Sequence, residues 1–287
     1  MKHPHTPSAL PTKPNRGQFA WPRSVDVILG FAQTQLQQHL AYPGDFWLSP
    51  LARLGIAAAL LGFWNAVYQA SDAPGGMTLT MMLSWAAAAI VMSRLVNVEL
   101  GEQVSERIRR GDIVFEIMRP TDFQPQAFGS WLGSSLYKLL VDTLPMALVL
   151  WGIAGVSGAP SFSTLIIAAC SLVFAMLIAF LLHFSVILIG FWTIQVRTWT
   201  WLLDRIVQLT AGFFVPLWLL PEGLQSALQY LPFAMLYHVP LSIFVGRVQG
   251  HEIVQLLLIQ IAWIPALLIL GRVMLRQARR RVLVQGG

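Results

Sequence analysis

A dense run of charge at residues 98–120 separates two long apolar segments, and it is called the charged segment below. Its first half holds three glutamates followed by three arginines: Glu99, Glu102, Glu106, Arg107, Arg109 and Arg110. Acids before bases is the order that a helix dipole favours. Glu106 and Arg110 also stand at the i,i+4 spacing of a helical ion pair. Charges in this pattern predict a water-exposed helix that forms ion pairs with a partner.

The second half of the charged segment is apolar between two stops. Gly111 stands where a left-handed helix cap is needed, and Arg119-Pro120 ends the segment. Five apolar residues lie between them: Ile113, Val114, Phe115, Ile117 and Met118. A helix, a hinge and an apolar knob together predict a docking surface. The alternative, a solvated loop helix that merely joins two spans, leaves the five apolar residues unexplained.

Three further ionisable residues lie within or beside apolar segments, where charge is costly and therefore indicates function. Lys138 and Asp142 are one helical turn apart near the start of a span, and His183 lies within another. They are candidates for a translocation pathway. Lys138 and Asp142 are equally compatible with mutual neutralisation at the membrane surface, and His183 with hydrogen-bonded packing. Asp204-Arg205 is predicted to form a local pair.

The composition predicts that the elements which position these residues are membrane helices. Of 287 residues, 56% are hydrophobic and 11% are charged, and the mean hydropathy is +0.63. A crossing needs about 20 apolar residues. Six segments meet that length, near residues 48–68, 76–96, 136–156, 165–193, 199–220 and 253–273. The sequence therefore predicts an all-α integral membrane protein with six transmembrane helices.

A seventh crossing at residues 223–246 is disfavoured by its prolines and by the distribution of charge. Pro232 and Pro240 interrupt it. With six spans, the N-terminal basic residues, the charged segment and the arginine-rich tail share one side, which the positive-inside rule makes cytoplasmic. We therefore expect both termini in the cytoplasm and short, proline-broken helices at the outer face across residues 221–250.

The ends of the chain differ from its middle. Residues 1–23 are rich in proline and polar groups and are predicted to be a disordered cytoplasmic tail. From Ser24, apolar residues recur at helical spacing, which predicts a helix along the membrane interface or, equally, packed on the protein. A transmembrane domain is expected over residues 24–275, with a basic tail over 276–287. The basic residues adjoin span ends without interleaved aromatics, which favours membrane lipid over nucleic acid as their partner.

The order of these features resembles a known family, the permease subunits of ABC transporters with the type-two export fold. The features are a helix before the first span, the element Arg110 to Pro120 between the second and third spans, the proline-broken outer segment and the basic tail. The resemblance implies that residues 99–119 form a coupling helix that fits a cleft on a separate ATPase subunit. The residues it implies for that contact are Glu102, Glu106, Arg107, Arg110, Gly111, Asp112, Phe115, Arg119 and Pro120.

The resemblance also implies the other subunits of the transporter and its activity. The chain carries no G-x-x-x-x-G-K-[ST] phosphate loop, so it is not expected to be an enzyme or to hold a cofactor. ATP and Mg²⁺ are then expected on two copies of the ATPase subunit. A second permease, identical or related, is expected to complete the pathway. The expected activity is export of a hydrophobic or amphipathic solute across a bacterial cytoplasmic (inner) membrane. An ion-coupled carrier and a membrane-embedded enzyme acting on lipid remain alternatives.

Overall fold

A computed structural model describes residues 24–41, 48–70, 74–110, 122–154, 161–193 and 196–285, and within these ranges the chain is helical with no strand. The predicted tail at residues 1–23 lies outside them. The helices are α1 (Ser24–Ala41), α2 (Leu48–Ala70), α3 (Leu79–Val96), α4 (Leu100–Arg110), α5 (Phe123–Lys138), α6 (Leu144–Ala154), α7 (Phe162–Leu188), α8 (Val196–Thr210), α9 (Glu222–Leu228), α10 (Ala234–Phe244) and α11 (His251–Gln285).

Four helical stretches of the described chain are long and apolar enough to cross a membrane. They are Leu79–Glu106, Phe123–Gly152, Phe162–Phe191 and His251–Arg280. They contain the predicted second, fourth and sixth spans in large part, and the third begins earlier than predicted because α5 precedes it. The prediction of a multi-pass helical membrane protein is confirmed. The count of six is not, because α2 and α8 are not among the four.

The region of the predicted fifth span has a shorter helix than hydropathy suggests. α8 has 15 residues and ends at Thr210, so it is about 22 Å long against about 30 Å of hydrocarbon. Gly212 then adopts a left-handed φ of 85°, which a side chain would disfavour. The buried indole of Trp85 donates a hydrogen bond of 3.1 Å to the Gly212 carbonyl and holds this turn in place.

The region with Pro232 and Pro240 contains two short helices, α9 and α10, and its predicted place at the outer face stays a prediction. α10 has 11 residues with Pro240 inside it and is buried along most of its length. At about 16 Å it is too short to cross a membrane. The chain continues into α11, which extends through much of the predicted basic tail to Gln285.

The helix predicted from Ser24 is present, and it packs along α5. The two helices run parallel and approach so closely that a Cβ at Gly133 would overlap the carbonyl group of Ala32, and one at Gly129 would overlap the Ile28 carbonyl. Gly129 and Gly133 have the G-x-x-x-G spacing that permits close helix contact. His39 stacks on Tyr137 with ring centroids 5.0 Å apart. This contact matches the alternative of a helix packed on the protein.

The core is built around α7, whose second half is almost wholly buried and which contacts α10 and α11. A neutral polar group joins these three helices and is called the Gln260 cluster. The Gln260 side chain accepts a hydrogen bond from Ser171 Oγ (2.9 Å) and donates to the carbonyls of Met235 (2.9 Å) and Ser171 (3.3 Å).

Candidate functional site

The predicted docking helix corresponds to α4, which follows α3 after a short break. Asn97 ends α3 with an extended backbone, and α4 begins at Leu100. Leu100 and Val104 are buried, and α4 packs on α7 and α8. A Cβ at Gly101 would stand 2.7 Å from Thr200 Cγ2, so glycine is required where α4 meets α8. α4 therefore rests its apolar face on the transmembrane helices.

The opposite face of α4 carries charge into water. Arg110 Nε lies 2.8 Å from Glu106 Oε1, as the i,i+4 spacing predicts. Glu102 lies 3.5 Å from Arg197 Nε, and both side chains are more than two-thirds exposed. The partly to largely exposed charges of this face pair with one another and with Arg197. Among the other residues predicted for that contact, Gly111, Asp112, Phe115, Arg119 and Pro120 lie outside the described residues, and the structure does not describe the Arg107 side chain.

Lys138 and Asp142 belong to a larger group of ion pairs that spacing alone did not reveal, here called the ionic cluster. Lys138 Nζ lies 3.0 Å from Glu99 Oε1, and Arg94 Nη1 lies 2.7 Å from the same oxygen. Asp142 Oδ2 lies 2.6 Å from Arg94 Nε and 3.4 Å from Arg53 Nη1. The prediction that Lys138 and Asp142 neutralise one another is therefore replaced by separate partners. Among the described residues, the ionic cluster contains three cations and two anions.

A distortion of the helix positions Asp142. Residues Leu139–Thr143 form a π-helical turn between α5 and α6, a feature that is rare and often found at functional sites. Both Lys138 and Asp142 are buried, at 4% and 9% relative exposure. Buried charges are tolerated only when they are paired, and the neighbouring helices supply the partners.

The ionic cluster joins α4 to three other helices. Glu99 immediately precedes α4, Arg94 lies in the last turn of α3, and Arg53 lies near the start of α2. Glu99 therefore connects α4 to α3 through Arg94 and to α5 through Lys138. Displacement of α4 would strain these contacts directly.

His183 has a partner that lies on another helix. Its Nε2 is 3.0 Å from Asp204 Oδ1, and its Nδ1 is 2.8 Å from the Ala179 carbonyl oxygen. Asp204 thus pairs with His183, whereas the guanidinium of Arg205 lies over the Trp201 ring at 5.8 Å. The predicted local Asp204-Arg205 pair is not what the structure shows. No sequence spacing indicates the His183 contact, because the two residues lie on α7 and α8.

A cavity of about 320 Å³ lies between α2, α3, α7, α8 and α10. Its polar wall includes Arg53, Arg94, His183 and Asp204, and its apolar wall includes Ile56, Ile90, Phe213 and Phe214. Of the three residues predicted for a pathway, His183 lines this cavity. Lys138 and Asp142 do not line it. Asp142 contacts its wall through Arg53 and Arg94, whereas Lys138 is connected to Arg94 only through Glu99. Among the residues that the structure describes, no three of His, Cys, Asp and Glu lie close enough together to hold a metal ion.

Comparison with known families decides the class of this membrane protein. The model of the family described as ABC-2 family transporter protein matches residues 54–286. The chain belongs to this family. It is an ABC-2 permease, the transmembrane component of an ABC transporter, and such permeases work with an ATPase subunit. No curated protein and no solved structure matches the chain.

The match agrees with the resemblance inferred from the charged segment. It covers most of α2 and every later helix, including α4, the ionic cluster apart from Arg53, and the cavity apart from that arginine. The helix α1 precedes the match.

Proposed function

We propose that this ABC-2 permease exports a hydrophobic or amphipathic solute across a bacterial inner membrane, driven by ATP hydrolysis on a separate subunit. In this proposal two ATPase copies hold ATP and Mg²⁺, and a second permease, identical or related, completes the pathway. Each permease has six crossings and cytoplasmic termini, with the transmembrane domain at residues 24–275 between two tails. The permease itself carries no nucleotide and no metal.

The observation that carries the proposal is the continuous chain of contacts from α4 to the cavity. The exposed charges of α4 meet the ATPase, together with the segment that follows α4. Motion of α4 then reaches Glu99, passes to Arg94 and Lys138, and from Arg94 to Asp142 and Arg53. Arg53 and Arg94 line the cavity. A shift of α4 therefore changes the wall that faces the transported molecule.

The chemistry of the two cavity walls is suited to an amphipathic solute. One wall presents guanidinium groups and the other presents Ile56, Ile90 and two phenylalanines. A molecule with a polar or anionic group and an apolar body satisfies both walls, because buried polar groups need partners and apolar surface is favourably removed from water.

Charge reversal on α4 tests the coupling assignment. Glu106→Arg removes the pair with Arg110 and places extra positive charge on the exposed face. We expect it to lower capture of the ATPase by at least tenfold at constant salt, and to abolish transport in reconstituted vesicles. The matched control is Glu222→Arg, which alters an exposed glutamate on α9. Parental transport by Glu106→Arg, or equal loss by Glu222→Arg, would show that α4 is not the coupling element.

The direction of transport is tested separately in inside-out vesicles that contain the permease and its ATPase. ATP added outside should drive accumulation of a fluorescent amphipathic solute in the lumen, and the ATPase inhibitor vanadate should stop it. Loss of solute from preloaded vesicles under the same conditions would establish import.

A further inference from the structure

A second groove, of about 480 Å³, lies between α1, α5, α7 and α11, away from the cavity described above. Its two ends differ in chemistry. One end is apolar, with Leu177, Ile264 and Leu268 in its wall. The other end carries three arginines on one side of α11: Arg272, Arg276 and Arg279.

The basic end has charge to offer to a ligand. Arg272 and Arg276 stand at the i,i+4 spacing, so they share a face of α11, and both are exposed. Within the described ranges, no ion pair or hydrogen bond occupies either side chain. Arg279 is already engaged, because its Nη2 lies 2.9 Å from Asp122 Oδ1. The groove thus has two available guanidinium groups beside a third that Asp122 holds in place.

The two ends lie at the depths where a lipid has its two parts. The apolar sixth span ends near residue 273, so Arg272 stands at the boundary between hydrocarbon and water. Ile264 lies eight residues earlier on α11, about 12 Å deeper along the helix axis. The apolar part of the groove is therefore at the depth of acyl chains, and the arginines are at the depth of phosphate groups.

We propose that this groove binds an anionic phospholipid of the adjacent leaflet, with its phosphate on Arg272 and Arg276 and an acyl chain along Leu177, Ile264 and Leu268. Basic pockets between helices at the cytoplasmic side of a membrane recognise anionic head groups in this way. Guanidinium is also suited to phosphate, because its planar donors can bind two oxygens together. The site is independent of what the permease transports.

The head-group contact is tested by native mass spectrometry of the full chain in mild detergent, titrated with phosphatidylglycerol and with phosphatidylcholine of the same acyl chains. One basic residue near an anionic surface contributes about fivefold in affinity, so Arg272→Gln with Arg276→Gln should weaken phosphatidylglycerol binding about 30-fold. Phosphatidylcholine has the same phosphate, but its choline ammonium offsets the charge, so its binding should weaken by a smaller factor. The control Arg280→Gln removes an exposed arginine of the same helix end that does not line the groove.

The acyl-chain contact is tested by filling the apolar end. Leu268→Trp should weaken binding of both lipids, whereas Ile269→Trp, on the adjacent exposed face, should not. Glycerol 3-phosphate should fail to displace the lipid. The proposal is overturned if the double arginine variant keeps its preference for phosphatidylglycerol, if Arg280→Gln loses it equally, if both tryptophan variants behave alike, or if glycerol 3-phosphate displaces the lipid.

Discussion

Two groups of buried polar side chains join the helices of this permease, and they differ in how their needs are met. In the Gln260 cluster, the wholly buried amide of Gln260 uses both its oxygen and its nitrogen on Ser171 and Met235. Two of the three contacts involve backbone carbonyls, which cannot rotate away. A neutral group with its donors and acceptor occupied has one preferred arrangement and fixes α7, α10 and α11 together.

The ionic cluster differs from the Gln260 cluster in the flexibility of its contacts, in its exposure and in its charge. Its contacts run between flexible side chains, and Arg94 contacts both Glu99 and Asp142. Arg53 and Arg94 are about one-fifth exposed and border the cavity. Arg94, Glu99 and Asp142 each have two ionic partners within the described residues, so one contact can weaken while the other remains.

This difference distinguishes two kinds of connection between helices. A fixed joint allows one arrangement of its polar groups, and a movable joint allows several. An arginine that lies between two carboxylates can strengthen one contact as the other weakens, so the helices can shift while the charges stay paired. The Gln260 cluster has no second set of partners among the described residues. We infer that the ionic cluster moves during transport and that the Gln260 cluster holds the scaffold against which it moves.

The largest effect is expected from removing one member of the ionic cluster. Asp142→Asn leaves Arg53 and Arg94 without their shared carboxylate. Breaking a buried pair costs about 3–5 kcal/mol, and the partial exposure of both arginines favours about 3 kcal/mol. Thermal unfolding in lipid nanodiscs should show this loss, and substrate-stimulated ATPase activity should fall to the unstimulated rate. Unchanged stimulation with an unchanged unfolding temperature would contradict a role for the cluster in coupling.

The ionic cluster also shows what sequence reasoning can and cannot reach. Glu106 and Arg110 pair as their spacing predicts, since the glutamate precedes the base on one exposed helix. Lys138 and Asp142 have the same spacing in the less favourable order, and partners from other elements displace that pairing. The local sequence does not predict the contact between Glu99 and Lys138, because that contact depends on how the helices pack.

The same distinction, between what local sequence predicts and what depends on helix packing, applies to the fold. Hydropathy located the membrane helices because it reports how each segment is solvated, and the predicted second span and α3 both end at Val96. It overextended the fifth span, because the helix ends at Thr210 and several apolar residues beyond it, Ala211, Phe213 and Leu217, are buried by protein. Burial by protein and burial by lipid have the same composition in a sequence.

A smaller effect is expected from the fixed joint. Gln260→Leu keeps the size of the side chain but leaves the Met235 carbonyl and Ser171 hydroxyl without this partner. Hydrogen bonds between membrane helices contribute about 0.6–1.7 kcal/mol, so the unfolding temperature should fall moderately. The number of ATP molecules hydrolysed per solute transported should stay at the parental value. A change in that ratio larger than the one caused by Asp142→Asn would reverse the assignment of fixed and movable joints.

The smallest effect on stability, and the sharpest test of the comparison, is expected when two opposite charges leave the ionic cluster together. Glu99→Gln with Lys138→Met removes one anion and one cation, so the net charge of the ionic cluster is unchanged. Lys138 is buried whereas Glu99 is about half exposed. Removing both charges removes the cost of burying the lysine charge and leaves neither partner unpaired, so the unfolding temperature should stay near that of the parent. Arg94 would still pair with Asp142, but the ionic connection from the start of α4 to α5 would be lost. The ATP hydrolysed per solute transported should rise several-fold.

The Gln260→Leu variant, less stable but coupled, is the matching control, because the two variants separate stability from coupling in opposite directions. If the double variant transports at the parental ratio, motion of α4 reaches the cavity through packing against α7 and α8, and the ionic cluster is a second fixed joint.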